Sequence, residues 1–495
     1  MYRRKNVVIV VMCAFILFMA LGYAAFSTLL NINGTTSTDS VWNVHFTNLT
    51  NGTAVGTATN KVTPSYTDTT AKMNVNLKVP GDSMTYELTV TNDGNLNAII
   101  DEIEAIAEGS EAIIYTISGL KIGDKLAAGE SKVMTIKIEY DSSVTSQPTS
   151  TSKILTVNIN CVQDIGQSIT PSDPIIKEPK YLSNQILKDN TAYADNVASP
   201  YVTSSTGIDF SQISSDTNGK GLYYTNTNTE SGKTTYYFRG NVTNNYVSFA
   251  GTTWRIVRIN EDGSIRLVTQ DSVGTSAFNS SKNDNAYVGY MYGAAGGSTY
   301  ALTHANTNSS AIKTYLDTWY QNNLASYSSY LADAGFCNDR SVASTAGSWD
   351  SSDTALGYGT NFTYYGSYNR LENLNQPQYA CPQSNDLFTT SSSSKGNKVL
   401  TNPIGLITAD EVVYAGGRSN TTNENYYLVN GSSFWTISPY VYGNPAVNVD
   451  LGGNGSLYYA PVHMESYGVR PVINLKSSVT ILGGNGTSSN PYAIA

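Results

Sequence analysis

The chain has 495 residues, which at ~150 residues per domain suggests two or three folded units. Hydrophobic residues make up 40% and charged ones 14%, where about 25% charged is usual, so Ser, Thr, Asn, Gly and 36 Tyr supply the polarity. The formal charge is 29 − 38 = −9 and only three histidines occur, which disfavours a nucleic-acid partner and leaves little room for His-based metal or acid–base chemistry.

Arg3-Arg4-Lys5 precedes an almost uninterrupted apolar run from Val7 to Ala20, then Leu21-Gly22-Tyr23-Ala24-Ala25. A positive flank, an apolar stretch and small residues at Gly22, Ala24 and Ala25 predict a signal peptide or N-terminal membrane anchor over residues 1–30. Read on to Leu30, the run is 24 residues, enough to cross about 30 Å of hydrocarbon, so cleavage and retention both stay open. The basic flank would hold the N-terminus in the cytoplasm. The rest is then expected at the cell surface or secreted, with the membrane as a partner through this segment alone.

From Val41 the period is two: Trp42-Val44-Phe46, Met73-Val75-Leu77-Val79, Met84-Tyr86-Leu88-Val90, Met134-Ile136-Ile138-Tyr140 and Leu155-Val157-Ile159-Cys161. Each reads as a half-buried strand, with turns at Pro80-Gly81-Asp82 and Asn92-Asp93-Gly94-Asn95 and one possible short helix near Asp101–Ala107. Residues 35–163 are therefore expected to form an all-β sandwich of two antiparallel sheets. The alternation puts His45 on a solvated face and Cys161 among the core residues. Residues 164–181, with Pro171, Pro174 and Pro179 among polar residues, read as an extended linker. The segment Pro80–Asn95 resembles one shared by Ig-like surface modules of Gram-positive bacteria. The whole N-terminal third is similar to biofilm-fibre and camelysin-type proteins. The resemblance implies an Ig-like fold. Camelysins are described as metalloproteases, but the His-Glu-x-x-His helix pair of a zincin is missing here.

Residues 182–495 mix short strands with two helices. Trp254-Arg255-Ile256-Val257-Arg258-Ile259 and Ser264-Ile265-Arg266-Leu267-Val268 flank Glu261-Asp262-Gly263, a hairpin signal. Ile312, Leu316, Trp319 and Leu324 make one stripe of a helix from about Ser310 to Leu331, capped by Ser309 or Ser310. A shorter helix starts near Thr408, with Asp410 and Glu411 in its first turn. Asn338–Asn397 has no periodicity and reads as a long loop, either functional or poorly ordered. Strands return at Ser433–Ile437, Ala446–Asp450, Ser456–Tyr459 and Tyr467–Leu475, with Gly452-Gly453-Asn454-Gly455 as a turn.

Phe434-Trp435-Thr436-Ile437-Ser438-Pro439 and Tyr467-Gly468-Val469-Arg470-Pro471-Val472 resemble a family of uncharacterised bacterial surface domains. Trp254–Ile259, Phe336–Ser341 and Gly405–Glu411 extend that likeness over most of 236–495. Those domains are similar in turn to the C-type-lectin-like fold of formylglycine-generating enzymes, which implies an α+β C-type-lectin-like domain over 182–495. The paired late cysteines of those enzymes are absent, since Cys337 and Cys381 stand 44 apart and ahead of the Trp435–Arg470 block. Asn375-Gln376-Pro377-Gln378 lacks the carboxylate that would complete a lectin calcium cage. No metal, cofactor or catalytic residue is expected.

Cys337 and Cys381 flank the unpatterned stretch outside the membrane and are candidates for a disulfide, with two reduced thiols as the alternative. Arg470 in its β context reads as a partner of a carboxylate, and Trp435 as a core residue. Tyrosines set among small polar residues suit a recognition surface, because Tyr brings large amphipathic area at low entropy cost. Tyr364, Tyr365, Tyr440, Tyr442 and Tyr459 are the candidate ligand contacts, alongside Tyr358, Tyr368 and Tyr458. The expected function is an exported bacterial surface protein that presents a non-catalytic, adhesin-like domain to an extracellular glycan or protein. The alternative is a structural envelope or biofilm-matrix protein assembling through its sandwich.

Overall fold

The computed structural model of the chain describes residues 40–145, 152–343, 357–443 and 445–494. They belong to two compact units, one ending at Pro179 and one beginning at Lys180, both built mainly of strands. The segment expected to direct export, 1–30, lies outside the described residues. Among those described, no helix is long and apolar enough to cross a membrane.

Among the described residues the first unit has a two-stranded sheet, Thr59–Tyr66 with Ala71–Asn76, and two larger ones. One runs Val44–Leu49, Ser83–Asn92, Ser131–Tyr140, Ile113–Ser118, all antiparallel, with Thr53–Val55 added to Ser83–Asn92. Met84, Tyr86, Leu88 and Val90 are buried, as a period of two requires of one face. The other sheet sets Ala98–Gly109 between Lys153–Gln163 and two short strands, Lys125–Leu126 and Ile176–Lys177. Val90, Met134 and Ile136 from the first sheet share one core with Ile100, Ile103 and Ala105 from the second. Each large side chain so buried contributes roughly 1.5–3 kcal/mol.

Three expectations change here. The possible helix at Asp101–Ala107 is part of the strand Ala98–Gly109. Ile103, Ala105 and Ala107 face inward in alternation, and the register shift opposite Asn160–Cys161 absorbs the break at Asp101-Glu102. Eleven pairings with Lys153–Gln163 outweigh the helical preference of Glu and Ala. The proline-bearing segment is extended, yet it lies on the first unit rather than hanging free. Ile176–Lys177 pairs in parallel with Ala105–Ile106, Ser172 bridges to Ile122, and Asp164 forms a 2.8 Å ion pair with Lys125. His45 is not a solvated residue: its side chain is half-buried with Nε2 3.4 Å from Asp93. Cys161 is a half-buried thiol against the core, and burial pushes its pKa up to about 11.

Asp82 anchors the turn before the central strand. Its carboxylate accepts from Thr57 N (2.7 Å), Thr57 Oγ1 (2.7 Å), Lys78 N (2.8 Å) and Val79 N (3.1 Å) while the residue is 1% exposed. Gly56, at φ +72°, lets the backbone pass, since a Cβ there would fall 2.2 Å from Asp82 Oδ1. Burial alone would raise this carboxyl's pKa, but the bonds from Thr57, Lys78 and Val79 outweigh it and hold the group far below its ordinary 3.8. Its folded-state pKa is depressed, so its stabilisation is complete above that ordinary value and is lost as pH falls toward the folded one. Asp82→Ala is expected to destabilise the first unit by about 2–3 kcal/mol near neutrality, with the gap to wild type narrowing in strong acid; denaturant unfolding across that pH range checks both.

In the second unit a nine-stranded sheet has Thr252–Ile259 as its hub, paired with Thr235–Arg239, Tyr246–Phe249 and Ile265–Thr269. Ile265–Thr269 passes the sheet on to Val472–Leu475. A smaller sheet runs Thr363–Tyr364, Phe434–Tyr442, Ala446–Leu451, Leu457–Pro461. The helix Ala311–Asn323 starts at Ser310, whose side chain accepts from Lys313 N, and tightens into a 3-10 turn at Ala325–Tyr330. The helix Ala409–Ala415 opens on a reciprocal capping box between Thr408 and Glu411.

Candidate functional site: a charged cavity and a tyrosine gallery

The stretch expected as an unpatterned loop is, where described, held by ion pairs. Arg258 and Arg266 lie directly opposite each other on neighbouring antiparallel strands. Two like charges in that position repel unless a counter-charge sits between them. Glu411, one turn into its helix, supplies it: Oε1 lies 3.0 Å from Arg258 Nε and 2.5 Å from Arg266 Nε, while Oε2 accepts from Thr408 N. Burial opposes ionisation of Glu411, but Arg266 and Arg258 overcome it and its pKa falls below the ordinary value. Burial draws the Arg266 guanidinium down to about 10, which leaves it protonated near neutrality.

A second set adjoins the first in sequence through Asp410. Arg370, on the π-helical turn Asn369–Leu374, grips Asp410 bidentately (3.0 and 2.9 Å) and reaches Asp339 at 2.5 Å. Burial would lower the Arg370 pKa, but Asp410 and Asp339 raise it. A third pair, Arg340 with Asp386, is fully buried and ties strand ends beside it. The first two sets line a cavity of about 60 Å³, walled also by Asn260 and Tyr379, with Glu230, Glu261, Asp262 and Lys395 at its margin. Arg258 lies over the Tyr379 ring at 4.5 Å.

Cys337 and Cys381 are joined in a disulfide (S–S 2.06 Å). Cys337 lines the cavity, and Cys381 N donates to Glu230 Oε2 at 2.9 Å. The bridge therefore ties the segment carrying Asp339 to the segment carrying Tyr379.

The candidate tyrosines divide. Tyr364, Tyr365 and Tyr442 are buried and are not surface contacts. Tyr365 and Tyr442 belong to the main core, and Tyr365 donates to Asn285 Oδ1 at 2.7 Å. Their polar neighbours in sequence concealed the sheet and helix that close over them. Tyr440 and Tyr459 come together, ring to ring at 4.7 Å and nearly parallel, and Tyr459 continues to Tyr458 at 5.1 Å. Behind them Tyr440 meets Tyr368 edge-on, and Tyr368 meets Tyr364. The gallery runs from the buried Tyr364 to Tyr458 and Tyr459, which are 53% and 41% exposed on the edge strand Leu457–Pro461. Glu372 Oε1 fixes its middle, accepting from the Tyr440 hydroxyl (2.9 Å) and Ser419 Oγ (2.6 Å).

Two further expectations resolve. Trp435 is a core residue, with Nε1 donating to Ser276 O. Arg470 takes no carboxylate among the described residues; it is buried over Phe434 and donates to the carbonyls of Thr269 (2.7 Å) and Leu428 (2.6 Å). A carbonyl at the end of a strand, Thr269, and one in a turn, Leu428, provide the acceptors that a carboxylate was expected to supply.

The charged cavity escaped sequence reasoning because its partners are up to 153 residues apart. A signal existed: in a chain this poor in charge, Arg258 and Arg266 stand inside apolar strands, where an unpaired guanidinium would be costly. Among the described residues no cluster of three or more His, Cys, Asp or Glu is disposed to hold a metal ion. No family model, curated protein or solved structure matches the chain.

Asp450 is the buried carboxyl without an ion pair beneath the gallery's edge, directly across from Trp435 and Tyr458 in the sheet. Its Oδ1 has no partner, and burial pushes its pKa up to about 7. A folded-state value above the ordinary 3.8 means stability falls as pH rises from about 4 through about 7 and levels off beyond. Asp450→Asn should remove that fall; melting temperatures on either side of this value, for wild type and variant, provide the check.

Proposed function

We propose that the chain is an exported bacterial cell-surface protein in which an Ig-like spacer presents a C-type-lectin-like domain that binds extracellular glycans without catalysis. The observation that carries this reading is the tyrosine gallery. Tyr458 offers an exposed ring at the end of a stacked file, backed by Tyr459 and then Tyr440, with Tyr368 edge-on behind Tyr440. A ring fixed in advance loses little entropy on binding, and the free face of Tyr458 suits the C–H face of a pyranose, with Tyr459 holding it in place. The N-terminal basic and apolar run supports export, and the strand alternation of the first unit supports a spacer.

A glycan and mucin array probed with the protein, with calcium and again with chelator, tests the reading. Saturable binding to a defined set, unaffected by chelator, is expected. Tyr458→Ala and Tyr459→Ala should each weaken it by about tenfold while leaving the melting temperature in place. A blank array would refute glycan binding, and self-association in its place would favour the envelope-matrix alternative.

A further inference from the structure

The helix Ala311–Asn323 carries a side-chain network that neither the gallery nor the charged cavity uses. Lys313 is 3% exposed and follows the core residue Ile312 in the chain. Its Nζ donates to Asp317 Oδ2 at 2.5 Å, one turn further along the same helix. The other oxygen, Asp317 Oδ1, accepts from Nδ2 of Asn402 at 2.9 Å, across 85 residues of sequence. Asn402 is also buried, two residues from the core residues Leu400 and Ile404 on either side. Its Oδ1 accepts from Gln321 Nε2 at 3.0 Å. An ionised carboxylate can only accept, so Asp317 fixes which end of the Asn402 amide faces it.

A lysine paired to a carboxylate four residues on is ordinary where its amine stands in water. Here the amine is buried, and one carboxylate holds it beside a buried amide whose carbonyl is already polarised by a donor. Those are the parts of an acyl transfer: a nucleophile, an acid–base group between nucleophile and leaving group, and a donor on the oxygen that becomes negative. Pro403 follows Asn402 and has no backbone N–H, so the amide is spared the usual attack by its own following peptide nitrogen. The side chain of Asp317 is 27% exposed, which gives a small leaving group a way to solvent.

We infer that Lys313 and Asn402 join in an intramolecular isopeptide bond, formed by the chain on itself. Asp317 takes a proton from the Lys313 ammonium, and the freed Nζ attacks Cγ of Asn402 while Gln321 holds the developing oxyanion. Asp317 then passes its proton to Nδ2, the Cγ–Nδ2 bond breaks, and ammonia leaves. The second proton lost by Nζ goes with it. An ammonium and a primary amide become a secondary amide and an ammonium ion, and no oxidant or cofactor is consumed. Fixing both reactants in the fold makes the attack unimolecular, which replaces the activation an enzyme would provide. The bond encloses the Cys337–Cys381 disulfide in a larger covalent loop, a staple suited to a domain exposed outside the cell. The inference does not rest on the glycan reading.

Peptide mapping by mass spectrometry of the full-length protein, denatured and reduced before digestion, tests it. The segments carrying Lys313 and Asn402 should be recovered as one branched peptide, lighter than the two together by one ammonia. Lys313→Arg keeps the ion pair but cannot form the bond, and should yield the two segments separately and melt at a lower temperature. Asp317→Asn, shown by circular dichroism to be folded, should leave the segments unlinked as well. Recovery of the two segments separately from folded wild-type protein, even after prolonged incubation, would overturn the inference. A branched peptide formed as fully in folded Asp317→Asn as in wild type would overturn the mechanism assigned to it.

Discussion

Glu411 is the residue on which the second unit's interior depends. Two arginines face each other across neighbouring strands of the main sheet, and only a carboxylate between them makes that register tolerable. The same side chain completes the capping box that starts the helix Ala409–Ala415. One residue thus fixes a strand pairing, a helix start and the orientation of Arg258. Its neighbour Asp410 faces Arg370 instead, so the first turn of a short helix distributes charge to both walls of the cavity. Such buried groups bring little net stability, because desolvation offsets much of the Coulomb attraction. Removing one partner is another matter, since it strands the other in a low-dielectric interior.

The π-helical turn Asn369–Leu374 connects this interior to the surface. Arg370 points into the ion-pair network and Glu372, two residues on, orients Tyr440 in the gallery. π-Helical turns are uncommon and often occur where a side chain must be aimed out of the ordinary helical register. Here the turn serves two neighbouring features in opposite directions. The disulfide adds a covalent restraint at the cavity, joining the segments that carry Asp339 and Tyr379.

What was legible in the sequence is what depends on neighbours along the chain. The two-residue period placed Ser83–Asn92 and Ser131–Tyr140 as strands, Ser310 announced a helix, and Thr408 with Glu411 announced another. What depends on distant neighbours was not legible. Asp101–Ala107 has helical composition, but its alternation serves a sheet partner some fifty residues on. Tyr364 and Tyr459 have similar local surroundings, yet one is sealed by the packing of Tyr368 and Phe362 and the other lies on an edge strand. Local polarity reports on the segment's own chemistry, whereas exposure is decided by what folds over it.

The central claim is that a braced pair of tyrosines forms the recognition surface. Tyrosine nitration of the folded protein, mapped by mass spectrometry with and without a bound oligosaccharide, addresses it most directly. Tyr458 and Tyr459 should be modified in the free protein and protected by the oligosaccharide, while buried Tyr365 and Tyr442 stay unmodified in both. Saturable binding that leaves Tyr458 and Tyr459 as reactive as before would place recognition elsewhere and contradict the account.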